Sequence, residues 1–183
     1  MVEGERECPR CVGLEPAFGE ARTASLFSGP VRSLVIGLKY HHDLHLLADC
    51  AALFRGASHL LDHVRGARLV PVPLHARKRR ERGYNQSELL AIELARVAGG
   101  ETTVESLLTR RIDTSTQTAF DRERRRANLK NAFALAPAAT LASRVRYVLV
   151  DDVFTTGSTV NACARVLRDA GVVRVDVATL AHG

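Results

Sequence analysis

The sequence predicts an α/β fold with a mainly parallel central sheet flanked by helices, and three observations carry that expectation. Short apolar runs at 68–73 and 147–150 are too brief for helices and alternate with longer segments of helical period. Those helical segments close on glycine, Gly99-Gly100 after one and Gly171 after another. The resulting order of strand, helix, strand, helix, strand favours parallel pairing through crossover helices.

Taken in order, residues 1–28 show no sustained period and read as an N-terminal loop segment, with residues 29–183 as the folded domain. A helix begins at Gly29, with Val31, Leu34, Val35 and Leu38 on one face. A second helix is predicted across 44–64, carrying Leu46, Leu47, Leu53, Leu60 and Leu61. Residues 68–73 form a strand and turn, because neither Pro71 nor Pro73 suits a helix interior. A helix over 83–97 follows, then a strand at 103–108. Residues 109–131 are polar and basic without strand alternation, which leaves a mobile loop or a solvent-facing helix. Short strands at 132–135 and 147–150, a helix at 158–170 and a last strand at 172–180 complete the chain.

Composition narrows the function classes. Of 183 residues, 46% are hydrophobic and 25% charged, the balance of a packed soluble core. No apolar run approaches the roughly 20 residues of a spanning helix, and the polar start MVEGERECPRC has no hydrophobic signal region. A cytoplasmic chain is therefore expected. The formal charge of +6 is concentrated in Arg77, Lys78, Arg79, Arg80 and Arg82 and in Arg122, Arg124, Arg125, Arg126 and Lys130. Such clusters suit a polyanion, either nucleic acid or a small phosphorylated ligand, and equally suit a solvated surface. Cys50 and Cys163 sit among alanines and leucines and are expected as buried thiols. The histidines have no ligand spacing and read as surface or helix residues.

The most informative segment is YVLVDDVFTTGST at 147–159. An apolar strand runs into Asp151 and Asp152, then into Thr155, Thr156, Gly157, Ser158 and Thr159 at the start of a helix. In open α/β sheets ligands bind beyond the carboxyl ends of strands. A glycine among hydroxyl residues at a helix N-terminus lets backbone N–H groups and side chains converge on an anion. Two carboxylates beside a bare phosphate would repel it unless they meet sugar hydroxyls or a bridging cation. A sugar phosphate satisfies both halves. The phosphate loop G-x-x-x-x-G-K-[ST] and the dinucleotide fingerprint G-x-G-x-x-G are both absent from this segment. The plain alternative is an aspartate-rich turn whose Thr and Ser only cap the helix.

VLVDDVFTTGST resembles the phosphoribosyl pyrophosphate signature of type I phosphoribosyltransferases. The resemblance implies that Asp151 and Asp152 hold the ribose hydroxyls and that Thr155, Thr156, Gly157, Ser158 and Thr159 wrap the 5-phosphate. It implies magnesium bound largely through ligand and water. Further segments resemble the ComF family of competence-related proteins: LKY at 38–40, VPVPLH at 70–75, RKRRERGYNQ at 77–86, LTRRIDTSTQ at 108–117 and RRANLKNAF at 125–133. A type I phosphoribosyltransferase-like fold is implied over 31–180.

In that family of folds the loop after 70–73 contacts pyrophosphate through backbone N–H groups. Pro71 and Pro73 lack that donor, which shifts such contacts to Leu74 and His75. Arg77, Arg80 and Arg82 are suited to pyrophosphate or to a nucleic-acid backbone. Asn85 and Gln86 either hydrogen-bond the ligand or cap the helix and tie down the arginines. The 109–131 segment corresponds to the loop that closes over the site, with Thr114, Gln117, Arg125 and Asn128 on the family pattern.

Cys8 and Cys11 have the C-x-x-C spacing of half a zinc site. ComF proteins typically begin with a zinc-binding segment, and the pair resembles its remnant. The sequence leaves open a truncated start, a zinc site shared between two chains and a decayed finger. Two functions stay open as well. One is an enzyme, a glycosyltransferase moving phosphoribose from phosphoribosyl pyrophosphate to an acceptor. The other is a non-catalytic protein of the DNA-uptake machinery that touches single-stranded DNA or a competence helicase.

Overall fold

A computed structural model describes residues 15–112, 129, 131–142 and 145–183. Its main sheet has five strands in the order β1-β7-β6-β2-β3, every neighbouring pair parallel. These are β1 (Ala21–Leu26), β2 (Arg68–Pro71), β3 (Thr103–Val104), β6 (Tyr147–Phe154) and β7 (Val175–His182). A separate antiparallel pair joins β4 (Leu108–Arg110) to β5 (Phe133–Leu135). The helices are α1 (Gly29–Ile36), α2 (Leu47–Gly56), α3 (Ser58–Val64), α4 (Ala76–Arg82), α5 (Gln86–Ala98) and α6 (Ser158–Asp169). The α/β class with a mainly parallel, helix-flanked sheet is the fold the chain adopts. No helix among the described residues is long and apolar enough to cross a membrane.

The central strand β6 separates two cores by the simple alternation of a pleated strand. Tyr147 and Leu149 face Val160, Cys163, Ala164 and Leu167 of α6 together with Leu108 and Phe133 of the antiparallel pair. Val148 and Val150 face Cys50 and Phe54 of α2, Leu60 and Val64 of α3 and Leu90 and Leu94 of α5. A strand covered on both faces reads as an unbroken apolar run, which is why 147–150 is so legible. Cys50 and Cys163 are fully buried.

Several boundaries differ from the sequence reading. Residues 21–26 are not loop: ARTASL pairs with β7 as the sheet's edge strand, and its half-exposed, polar pattern carries no strand signal. The helix predicted over 44–64 is a 3-10 turn (Leu44–Leu46) and two helices broken at Ala57 (φ −103°, ψ 68°), so that α2 and α3 both reach the same core. The helix predicted from residue 83 starts at Gln86, because Asn85 caps it with Oδ1 accepting from the Ser87 N–H at 3.2 Å. The arginines of 77–82 lie on α4, capped by His75 and closed by Gly83 in the left-handed conformation (φ 78°). The strand read at 103–108 divides: Thr103–Val104 pairs with β2, whereas Leu108–Arg110 leaves the sheet for β5, so residues 109 and 110 are strand. β6 itself continues through both aspartates to Phe154.

His63 is the exception among the histidines. It is buried at 7% exposure, with Nε2 3.1 Å from the Val177 carbonyl and Nδ1 3.1 Å from Arg146 Nη2. The carbonyl assigns the proton to Nε2, leaving Nδ1 to accept from the guanidinium. Arg146 Nε in turn donates to Asp176 Oδ2 at 2.9 Å. Burial, and then the Arg146 charge, holds the imidazole below its ordinary pKa.

Candidate functional site

The site lies at the carboxyl edge of the sheet, where β2 ends with Pro71 opposite Val150 and β6 runs on to Phe154. The Val72 N–H continues the pairing by donating to the Val150 carbonyl at 2.9 Å. Proline at 71 and 73 removes two backbone donors there, and Leu74 and His75 follow half-buried. The chain then enters α4 and α5, whose junction faces the two aspartates.

Asp151 and Asp152 point to opposite sides of β6 and have different surroundings. Asp152 is buried, at 4% exposure, and both its oxygens are engaged. Oδ1 pairs with Lys39 Nζ at 2.8 Å, and Oδ2 accepts from Gln86 Nε2 at 3.1 Å. Gln86 Oε1 in turn accepts from Arg82 of α4. Asp151 is half-buried, and its Oδ1 accepts from Ser87 Oγ and from the Asp152 N–H, each at 2.9 Å. Its Oδ2 has no hydrogen-bond partner among the described residues. Burial first, then the charge of Asp152, pushes the Asp151 carboxyl up to about 7, against the opposing pull of Lys39 and the Ser87 hydroxyl. A carboxyl tuned towards neutrality by burial and a like charge is a mark of functional sites.

The loop after β6 has the shape its composition predicts. Gly157 takes φ 70° as the N-cap of α6, a conformation that admits glycine at little cost. Thr155 and Thr156 are exposed, and Thr156 Oγ1 lies 3.0 Å from Ser158 Oγ while accepting from the Ser158 N–H at 3.4 Å. Ser158 and Thr159 occupy the first turn of α6, whose leading N–H groups have no intrahelical acceptor. One end of β6 thus presents the open oxygen of Asp151 beside a hydroxyl-rich anion cradle.

The other sequence candidates are distributed around this centre. Asn85 caps α5 and donates from Nδ2 to the Val72 carbonyl at 3.0 Å, joining α5 to the turn after β2. Gln86 ties the arginine helix to Asp152. His75 Nδ1 accepts from the Arg77 N–H at 3.4 Å, Arg77 pairs with Glu81 at 3.6 Å, and Arg80 is exposed on α4. Thr114, Gln117, Arg125 and Asn128, like Cys8 and Cys11, lie outside the described residues.

Lys39 and Ser87 carry no site role in the sequence reading, although LKY is part of the family resemblance. Lys39 is the sole cation of LKY, and Ser87 directly follows the helix-opening Asn85-Gln86. Only the fold reveals that both meet the aspartates. Among the described residues no three His, Cys, Asp or Glu side chains converge as a metal cage. Both oxygens of Asp152 have protein partners, whereas Asp151 keeps Oδ2 without one among the described residues.

No family model matches the chain. Curated relatives do. It is 32% identical over 181 residues to Competence protein F of Haemophilus influenzae, spanning 97% of this chain and 79% of that protein. It is 35% identical over 175 residues to DNA utilization protein YhgH of Salmonella typhi, spanning 93% and 75%. The Escherichia coli K12 protein of the same name is 34% identical over 180 residues, with the same coverage of 93% and 75%. Among solved structures, a hypoxanthine phosphoribosyltransferase from Staphylococcus aureus aligns with TM-score 0.45 at 13% identity, over 74% of this chain and 64% of that one. A purine phosphoribosyltransferase from Pyrococcus horikoshii aligns with TM-score 0.43 at 13% identity, over 74% and 71%.

Proposed function

The chain belongs to the family of Competence protein F and DNA utilization protein YhgH, and from that premise we propose that its carboxyl-edge site binds phosphoribosyl pyrophosphate together with magnesium. One observation carries the reading: the open Oδ2 of Asp151 and the Thr155–Thr159 cradle emerge from the same end of the central strand β6. A ribose 5-phosphate has hydroxyls for the first and an anion for the second. Asp151 accepts a ribose hydroxyl. Thr155, Thr156, Ser158 and Thr159, turned by Gly157, hold the 5-phosphate through hydroxyls and first-turn N–H groups. Magnesium, when bound, offsets the charge of the pyrophosphate and so assists its departure from the anomeric carbon.

The chain's own residues contribute binding and orientation. Asp152 acts inside the protein, held between Lys39 and Gln86, and keeps the end of β6 in place for its neighbour. Transfer of the phosphoribosyl group to an acceptor is the enzymatic extension of this reading. Calorimetric titration with phosphoribosyl pyrophosphate and magnesium tests it. Saturable heat is expected from the wild type and at least a ten-fold weaker affinity from Asp151→Asn. Absence of heat from the wild type at protein concentrations well above micromolar contradicts the reading.

A second reading, contact with single-stranded DNA, is favoured by the basic helix and by one arrangement that the sequence did not disclose. Tyr40 is 68% exposed, and the Arg82 guanidinium lies 6.0 Å from its ring centre. An aromatic face beside a cation is a platform on which an unpaired base stacks, with Arg77 and Arg80 exposed on the same helix. Oligonucleotide affinity should fall steeply with salt and drop with Tyr40→Ala. Salt-independent binding, or none, counts against this reading.

A further inference from the structure

The segment that brings Lys39 to Asp152 is unusual in two ways. Gly37–His41 is a π-helical turn, a form found mostly as single turns and often at functional sites. It ends at His42 in the left-handed conformation (φ 59°), rare for a residue with a side chain. At its start Gly37 packs closely against the next turn: a Cβ there would lie 2.5 Å from Leu46 Cδ1 and 3.1 Å from Asp43 Oδ2, side-chain ends that would have to move aside. From the other side Tyr84 pins the turn, its hydroxyl donating to the Leu38 carbonyl at 2.6 Å. The product is one ion pair whose side chains are 26% and 6% exposed.

A buried carboxylate without compensation is strongly unfavourable, whereas one with a cation and a full set of donors is tolerated. Here the salt-bridge partner sits on Asp152, whose oxygens are both engaged, whereas Asp151 has donors on Oδ1 alone and keeps Oδ2 open. Resting on the ribose-phosphate reading above, we propose that Lys39 is a positioning residue of that site. It engages Asp152, dedicates Asp151 to the ligand, and supplies the positive charge that lets two adjacent carboxylates be ionised together. The turn Gly37–His41 is thereby a wall of the ligand site, contributed by a segment more than a hundred residues distant in sequence from the phosphate loop.

Among the described residues the polar and charged groups acting around Asp151 are few. Asp152 comes from its own strand, Lys39 from the π turn and Ser87 from α5. From α6 comes Cys163, its thiol pushed well above the ordinary range by burial and then by Asp151, with Arg110 of β4 opposing. Among the described residues Lys39 is the cation that acts on Asp151, and that makes its contribution separable.

The test follows the Asp151 carboxyl by carbon-13 NMR titration of the ligand-free protein and, in parallel, the affinity for magnesium phosphoribosyl pyrophosphate as a function of pH. Lys39→Met is expected to move the Asp151 midpoint up by about one unit, and to weaken binding at neutral pH by roughly ten-fold, a deficit that narrows as pH rises. Lys39→Arg restores both. Should Lys39→Met fail to fold, Asp152→Asn is compared with Lys39→Met/Asp152→Asn, and the midpoint must again be higher where the lysine is missing. A midpoint indifferent to the lysine overturns the proposal, whether or not the ligand binds. A midpoint that moves in a protein whose wild type takes up no ligand overturns the ribose-phosphate reading instead, and leaves Lys39 as the residue that sets the charge of the pair.

Discussion

The Tyr84 hydroxyl donates to the backbone carbonyl of Leu38 at 2.6 Å, across 46 positions of sequence. This bond joins two segments, LKY and GYNQ, that each send a residue to Asp152: Lys39 from one and Gln86 from the other. The acidic pair is therefore the meeting point of three stretches of chain. Removing the hydroxyl alone tests the joint. Tyr84→Phe should lower stability by about 1 kcal/mol, the usual net contribution of one hydrogen bond, measured by denaturant unfolding. No change in the midpoint would mean that the turn is held by packing alone.

Gln86 bridges the basic helix α4 and the central strand, through Arg82 and Asp152. Gln86→Leu leaves one carboxylate oxygen of a buried aspartate without its donor. We expect a loss of about 1–3 kcal/mol, larger than for Tyr84→Phe. A Gln86→Leu protein as stable as the wild type would contradict the assignment of Asp152 as an internal strut.

The Asp151 carboxyl gives stability a definite pH slope. Its folded pKa is about 7, well above the ~3.9 of an unfolded aspartate. Between those values the folded state holds the proton that the unfolded state has released, so stability falls as pH rises. Asp151→Asn should flatten the curve of unfolding free energy across pH 4 to 7 relative to wild type. A curve parallel to wild type over that interval would show that Asp151 is not perturbed.

His63 slopes the other way. Its folded pKa lies below the ordinary imidazole value, so below about 6.5 the unfolded chain binds the extra proton and stability falls with acid. His63→Ala should remove that acid sensitivity. It also deprives Arg146 of an acceptor and Val177 of a donor, at a cost of about 1–3 kcal/mol near neutrality. Unaltered acid sensitivity in the variant would place the titrating group elsewhere.

The parts of the fold legible in the sequence are those where burial is complete. Residues 147–150 are covered on both faces and read as an apolar run; β1 has one neighbouring strand and a polar, half-exposed pattern, and was illegible. The predicted helix over 44–64 kept its period through the break at Ala57, since both pieces bury the same kind of side chain. In the site, Asp151, Asp152 and the Thr/Gly loop were visible because they are contiguous and follow a strand. Lys39 and Ser87 were not, because an ion pair across 113 positions and a serine beside a cap leave no local pattern. Asn85 and Gln86 read as candidates for either ligand or cap, and both make hydrogen bonds within the protein.

On the proposed function, a phosphorylated ribose sits between Asp151 and the loop at 155–159. Amide chemical shifts, followed by proton–nitrogen NMR as phosphoribosyl pyrophosphate and magnesium are added, test it most directly. Saturable shifts are expected at Asp151, Thr155, Thr156, Gly157, Ser158 and Thr159, with little change at Gly19 and Val175 on the opposite edge of the sheet. Shifts confined to α4, or none in 155–159 at saturating ligand, would contradict it.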